Sequence, residues 1–256
     1  QPRTILEGIA KLPPAHYAVW RDGELRVERY WEPEWNREIG RPFEEDAAEL
    51  RSLLGEAVRE QMAADVPLGA FLSGGIDSTI IVGLMRNAAS RSVKTFAIGF
   101  PDAAFDETAY AEEAARFLGT EHHTFSVEPD AWETLPALAR QFDEPFADSS
   151  ALPTWRVALE TRRHVTVALT GDAGDELFGG YDRYRALAIT EMFHRLPAAP
   201  RRWIVGAMAR MLPQSGKAKS RLRAAQRLFE RINEPTADRY LGWMTTFDET
   251  GRLDLY

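Results

Sequence analysis

The sequence predicts an α/β fold, a parallel sheet with helices on both faces, followed by a helical C-terminal part. Three observations predict it. Short apolar runs at 68–72, 93–99, 122–127 and 164–169 alternate with stretches of helical period. Two of those runs pass directly into glycine-rich loops, SGGIDS at 73–78 and TGDAGDE at 170–176. Beyond the second loop there is no strand pattern, only helical period broken at Pro197, Pro200, Pro213 and Gly216.

Taken in order, His16–Trp20 and Leu25–Trp31 are strand-like and flank Arg21-Asp-Gly-Glu24, whose central Asp-Gly pair is a hairpin signal. Two strands cannot make a core, so this hairpin is expected to pack on something else. Phe43 to Asp65 is helical by period, with Leu50, Leu53, Leu54, Ala57, Val58 and Met62 on one face. Leu68 to Leu72 is a short buried strand, and Thr79 to Met85 continues apolar as a buried helix. After the strand at 93–99, a helix is expected from Asp106 to Leu118, with Asp106 as N-cap and Gly119 just past its end. Residues 130–143 and 149–163 are expected helices, divided by Glu144-Pro-Phe146.

Composition narrows the function. At 256 residues the chain holds one large domain, or one core with a smaller appendage. A net charge of −8 argues against general nucleic-acid binding, which needs a basic face. No apolar run approaches the ~20 residues that cross a bilayer. There is no cysteine, which excludes disulfides, thiolate metal sites and a cysteine nucleophile. No charged-then-apolar leader pattern follows Gln1, and the cytoplasm is the expected compartment by default. The basic run Lys217-Ala-Lys219-Ser-Arg221-Leu-Arg223 is read as a solvated helix face rather than a phosphate site.

The stretch VPLGAFLSGGIDSTIIVG at 66–83 carries the chemistry. Strand, glycine-rich loop and helix in that order aim free backbone N–H groups and a positive helix end at one point, which is an anion site. Gly74 and Gly75 allow positive φ and close approach of a ligand. Ser73 and Ser78 add hydroxyl donors, and the Asp77 carboxylate beside a phosphate site suits an intervening divalent cation. No Lys follows the glycines, so the loop is not a Walker A motif. An ordinary strand-to-helix turn with a serine cap fits the same residues. In a parallel sheet ligands bind beyond the carboxyl ends of strands, so both loops can face one crevice. Asp172, Asp175 and Glu176 could also simply serve the N-terminus of the following helix. His122 and His123, adjacent on a strand, point to opposite faces and are read as structural. Phe178–Tyr181 faces substrate or forms a hinge.

SGGxDS resembles the pyrophosphate loop of the N-type ATP pyrophosphatases, which cleave ATP between the α and β phosphates. With both loops considered, the chain resembles the synthetase domain of glutamine-hydrolysing asparagine synthetases. The matching stretches are DVPLGAFLSGGIDS at 65–78, TFAIGF at 95–100, FDETAYAEEAARFLGTEHH at 105–123, DEPFADSSALPT at 143–154 and VALTGDAGDELFGGYDRY at 167–184. TILEGIAKLPPAHY at 4–17 resembles the segment that joins the family's glutaminase and synthetase domains.

The resemblance implies an adenine nucleotide alpha hydrolase-like fold. Residues 1–40 would be a linker and hairpin from the end of the glutaminase domain. Residues 41–256 would be the ATP-pyrophosphatase domain, incomplete at its C-terminus. It implies an amide ligase in which the aspartate side-chain carboxylate attacks the α phosphorus of ATP, and ammonia then displaces AMP. ATP, aspartate and ammonia are the implied partners, with Mg²⁺ as cofactor. Ammonia would come from glutamine through a glutaminase domain absent here, and a homodimer is compatible with the resemblance. Pyrophosphate falls to Ser73, Gly74, Gly75, Asp77 and Ser78, and Mg²⁺ to Asp77 and Asp175. Leu72 and Ile98 match positions at the adenosine, although their apolar character alone would make them core. Thr170 and Gly171 match residues near the nucleotide. Asp172 matches an acidic catalytic position that is usually Glu. The family's nucleophilic cysteine and its later phosphate-contacting lysine are not in this sequence. The chain is therefore expected to be a fragment that neither hydrolyses glutamine nor makes much amide on its own. Related β-lactam-forming synthetases and peptide cyclases, or a nucleotide-binding module without catalysis, are the alternatives.

Overall fold

The computed structural model describes residues 2–34, 40–102, 106–126, 131–142, 144–146, 148–197, 199–201, 203, 205–206 and 228–245. The chain forms two compact units, Gln1–Gly171 and Asp172–Tyr256.

In the first unit, β1 (His16–Arg21) and β2 (Glu24–Arg29) pair antiparallel. The Asp-Gly turn works as expected: Asp22 and Gly23 both have positive φ, 52° and 87°. The register places Ala18, Trp20, Leu25 and Val27 on one face. The expectation that this face is covered is not met among the described residues. Trp20 is 69% and Leu25 60% exposed.

Helix α1 (Phe43–Gln61) stops four residues short of the expected end. Of its apolar stripe Val58 is buried, while Leu50 and Leu53 stay exposed. β3 (Leu68–Phe71), α2 (Ile76–Ala88), β4 (Lys94–Gly99), α3 (Thr108–Leu118) and β5 (Glu121–Ser126) then alternate as predicted. Gly119 ends α3 in the left-handed region, φ 66°. The N-cap position of α3 falls on Glu107, which makes no side-chain cap bond, while Asp106, one position further out, does the capping through Oδ1, which accepts the Thr108 N–H. α4 (Ala131–Phe142) and α5 (Ala151–Thr161) follow, α5 slightly shorter than expected. β6 is only Val167–Leu169, not 164–169. His164 N–H and Val165 N–H both donate to Thr161 O, so those residues finish the α5 terminus instead of joining the sheet.

Four strands form one parallel sheet in the order β5-β4-β3-β6. On one face Ala70 and Leu72 pack with Val58 of α1, Val82 and Met85 of α2, Val93, and Ala115 of α3. Burying each large side chain there contributes about 1.5–3 kcal/mol. On the other face Phe96 lies across Gly69, where a Cβ would come within 2.6 Å of its ring. His123, Phe125 and His164 cluster around Phe96, with ring centroids 5.4, 6.3 and 5.6 Å away. His122 turns the opposite way, Nδ1 2.9 Å from Thr95 Oγ1. The two adjacent histidines thus part to opposite faces, as strand geometry requires.

The second unit contains α6 (Gly174–Phe178), α7 (Asp182–His194) and α8 (Thr236–Met244). No strand occurs among its described residues, as expected. Arg239 is fully buried, donating to Glu191, the Thr236 hydroxyl and the Ile232 and Glu234 carbonyls. The basic run 217–223, with Lys217 and Lys219, lies outside the described residues. Among the described residues no helix is long and apolar enough to cross a membrane.

Candidate functional site

The sheet order puts the starts of the two glycine-rich loops where ligands enter such folds. From β3 the chain steps outward through β4 to β5, then returns to place β6 on the other side of β3. The carboxyl ends of β3 and β6 therefore flank the switch in strand order. The loop after each begins there.

The first loop is locked by its own serines. Gly75 N–H donates to Ser73 Oγ at 3.2 Å, and Ser73 N–H donates to Ser78 Oγ at 3.2 Å. The two hydroxyl oxygens lie 3.0 Å apart, and Ser78 O–H donates to Gly75 O at 3.3 Å. Each hydroxyl has one proton. Ser78 spends its own on Gly75 O, which leaves Ser73 as donor in the pair. Both serines, expected as donors to a ligand, thus first hold the loop. Ser78 is buried for that purpose, whereas Ser73 is exposed and can swing its O–H outward.

Gly74 is required twice over. Its φ is 78°, and a Cβ there would lie 2.4–2.6 Å from Tyr110 backbone and Cβ atoms. Gly75 precedes α2 as its N-cap residue, and the first bond of that helix runs from Thr79 N–H to Gly75 O. The N–H groups of Ile76, Asp77 and Ser78 therefore precede the helical ladder. Asp77, half-buried, stands in this first turn.

Gly171, just past β6, closes on the same turn. A Cβ at Gly171 would lie 2.7 Å from Ser78 N, 2.9 Å from Asp77 C and 3.0 Å from Asp77 Cβ. Only glycine permits this approach. Thr170, beside it, is half-buried. Leu72 is 1% exposed and its N–H donates to Phe96 O, so only its carbonyl is left to meet a ligand. Ile98 is half-buried near the end of β4.

Asp172 and Asp175 belong to the second unit. Asp172 is exposed and Asp175 half-buried. Gly180 N–H donates to Asp175 O, and a Cβ at Gly180 would meet Asp175 Oδ1 at 2.0 Å. Asp175 and Glu176 do stand in the first turn of α6, as the helix-end alternative expects, but the N-cap residue is Ala173, in the left-handed region at φ 69°, and makes no side-chain cap bond. Glu176 instead accepts the Tyr181 hydroxyl at 2.6 Å. That bond is the main cause holding the Glu176 carboxyl below its ordinary value and the Tyr181 phenol above its own. Arg183 lies over the Tyr181 ring, 3.6 Å from its centre. The sequence marked Phe178–Tyr181 but did not single out this Glu–Tyr–Arg stack.

For a divalent cation the donors fit in kind. Asp77 supplies a hard oxygen ligand beside donors that attract phosphate. Among the described residues no group of three or more His, Cys, Asp and Glu could hold a metal. A cation at Asp77 would need phosphate oxygens to complete its shell, the usual arrangement for Mg²⁺.

A sequence model of the asparagine synthase family matches residues 49–253. Asparagine synthetase [glutamine-hydrolyzing] 1 of Bacillus subtilis is 34% identical over all of this chain, which spans 39% of that protein. Amidase chyE of Penicillium rubens is 30% identical over 88% of the chain, covering 35% of its own length. NMN synthetase from Francisella tularensis aligns with a TM-score of 0.37 at 19% identity, over 52% of this chain and 58% of its own. The loops, sheet and sequence define a member of the asparagine synthase family, and the chain belongs to it. It spans well under half the length of the curated relatives named here.

Proposed function

We propose that this chain is the ATP-using part of an asparagine synthetase, an ATP-dependent amide ligase. The observation that supports it most is the seating of Gly171 against Asp77 and Ser78 at the head of α2. The start of the second loop, at Gly171, thus lies against the backbone donors at the end of the first loop, and both loops match a nucleotide-cleaving family in sequence. In the proposed reaction an oxygen of the aspartate side-chain carboxylate bonds to the α phosphorus of ATP. The bond from that phosphorus to the bridging oxygen breaks, and its electron pair leaves with pyrophosphate. Ammonia then attacks the acyl carbon, AMP departs with the carbon–oxygen pair, and the amide nitrogen gives up a proton.

The chain's part is positioning and charge stabilisation. The N–H groups of Ile76, Asp77 and Ser78, with the positive end of α2, meet the charge that builds on the leaving pyrophosphate. Ser73, Gly74 and Gly75 complete that cradle. Leu72 and Ile98 edge the adenosine, and Thr170 and Gly171 lie beside the nucleotide. Asp77 is the ligand for Mg²⁺ in this unit, and the cation supplies counter-charge to the phosphates when bound. The sequence match supports Asp175 as its second ligand and Asp172 as the acidic residue tied to forming the acyl-adenylate. In the whole protein, residues 1–40 would join a glutaminase domain that supplies ammonia to the ligase domain at 41–256. The cytoplasm suits its soluble substrates, and a homodimer is compatible with the scheme.

A second reading keeps the adenylation and changes the carboxylate, as in β-lactam-forming synthetases and peptide cyclases. The relative named as an amidase favours keeping it in view. Product analysis on the full-length protein with ATP, aspartate and ammonia separates the two. Asparagine, AMP and pyrophosphate in equal amounts support the first reading. ADP and phosphate would refute both.

A further inference from the structure

We propose that the first turn of α3, from Asp106 to Tyr110, is a brace that sets the distance between the adenosine and pyrophosphate parts of the nucleotide site, with Asp106 as its positioning residue. The proposal rests on the nucleotide reading above and deepens it. Two strand ends must keep a fixed spacing for one ATP to span them. β3 leads into the pyrophosphate loop, and β4 ends at Ile98 and Gly99 on the proposed adenosine side.

The turn touches both. At one end the Tyr110 backbone seats on Gly74, so closely that a Cβ on Gly74 would approach Tyr110 C at 2.4 Å and Tyr110 O at 2.6 Å. At the other end Gly99 meets the same turn. A Cβ there would lie 2.8 Å from Thr108 Cγ2 and 3.2 Å from Asp106 Oδ1. Gly74, in the loop after β3, and Gly99, at the end of β4, thus admit one turn between them.

Asp106 fixes the turn itself. Its Oδ1 accepts the Thr108 N–H at 3.1 Å, while Tyr110 and Ala111 N–H both donate to Glu107 O at 3.1 Å. The carboxylate therefore anchors the outermost N–H of α3, and the carbonyl of Glu107 secures those of Tyr110 and Ala111. Without Asp106 the turn loses the bond that ties its Gly99 end, and the Gly74 seat moves with it. Asp106 makes no contact with the reacting atoms in this scheme and acts through Gly74 and Gly99.

The test measures ATP binding and steady-state kinetics on the full-length protein, wild type against Asp106→Ala, Asp106→Asn and Asp106→Ser. Asn and Ser keep a side-chain oxygen that can accept the Thr108 N–H. Loss of such an anchor predicts a rise of about fivefold in the Kd and KM for ATP in Asp106→Ala. The KM for aspartate should stay unchanged, and Asn or Ser should restore most of the ATP affinity. A role in folding alone would lower the melting temperature and the amount of active enzyme while leaving the KM for ATP where it was. That result overturns the brace, as does an Asp106→Asn protein no better than Asp106→Ala. If the wild type itself fails to bind ATP, the nucleotide reading falls and the brace with it. If the wild type binds ATP and Asp106→Ala binds it equally, only the brace falls.

Discussion

Gly171→Ala asks whether the second loop must touch the first. The added methyl would sit 2.7 Å from Ser78 N and 2.9 Å from Asp77 C. Ordinary contacts begin near 3.4 Å, so about 0.7 Å of overlap must be relieved at backbone atoms. No flexible side chain can absorb it. Overpacking of this kind costs about 1–3 kcal/mol. The strain falls on the head of α2, where the proposed phosphate donors stand. A misplacement approaching 1 Å in a catalytic array can cost roughly a hundredfold in rate. The assay is pyrophosphate release by the full-length protein, with melting temperature measured in parallel. Gly83→Ala is the control in the same helix, because a Cβ there meets only Leu118 Cδ2 at 3.7 Å. That change should stabilise by about 0.5–1 kcal/mol and leave activity alone. Gly171→Ala with wild-type rate and stability would refute the reasoning, since Gly171 would then not need to sit against the head of α2.

Ser78 and His122 carry two further expected outcomes. Ser78→Ala strips a buried hydroxyl that serves Ser73 N–H, Ser73 Oγ and Gly75 O. It should cost about 1–3 kcal/mol in urea denaturation and weaken ATP binding, whereas Ser73→Ala, at an exposed position, should cost less stability. His122 has its pKa lowered chiefly by burial, with Glu112 opposing and His123 adding to the shift. The unfolded chain therefore takes up a proton near pH 6.5 before the folded one does. The contribution of His122 to stability is full above that pH and is lost as pH falls toward its lower folded value. Melting curves between pH 8 and 5 should show a component of acid destabilisation in the wild type that His122→Gln lacks; equal slopes would contradict it.

Much of this was legible in the sequence, for identifiable reasons. Asp22-Gly23 gave the hairpin because few residues adopt two consecutive positive φ values. Gly119 marks the end of α3 because glycine readily takes the left-handed conformation that closes a helix. The alternation of strands and helices, with glycine-rich loops after two strands, led to the parallel sheet. Strand order is a property of long-range packing, and nothing local stated that β6 lies beside β3. The stretch 164–169 looked like a full strand because its apolar pattern does not reveal that Thr161 O captures two of its N–H groups. The serines of the loop carried the right chemistry, but their mutual bonding depends on a geometry set by Gly74 and Gly75. Asp106 was visible as a capping acid, and its place between two strand ends was not. The hairpin's Trp20 and Leu25 show the limit of pattern reasoning, since alternation identifies a face without naming what covers it.

Asp77 bears the central claim most directly. As a dipole partner for α2 alone, it would contribute about 0.3–1 kcal/mol of stability and little else. As a ligand for the cation that accompanies ATP, it governs the charge on the departing pyrophosphate. The measurement is pyrophosphate release by the full-length protein across a Mg²⁺ titration, wild type against Asp77→Asn, with aspartate and ammonia saturating. The account predicts a large loss of rate, a shift of the Mg²⁺ dependence to higher concentration, and a nearly unchanged melting temperature. Identical rate and Mg²⁺ dependence in the two proteins would contradict it and leave Asp77 as a helix-end carboxylate.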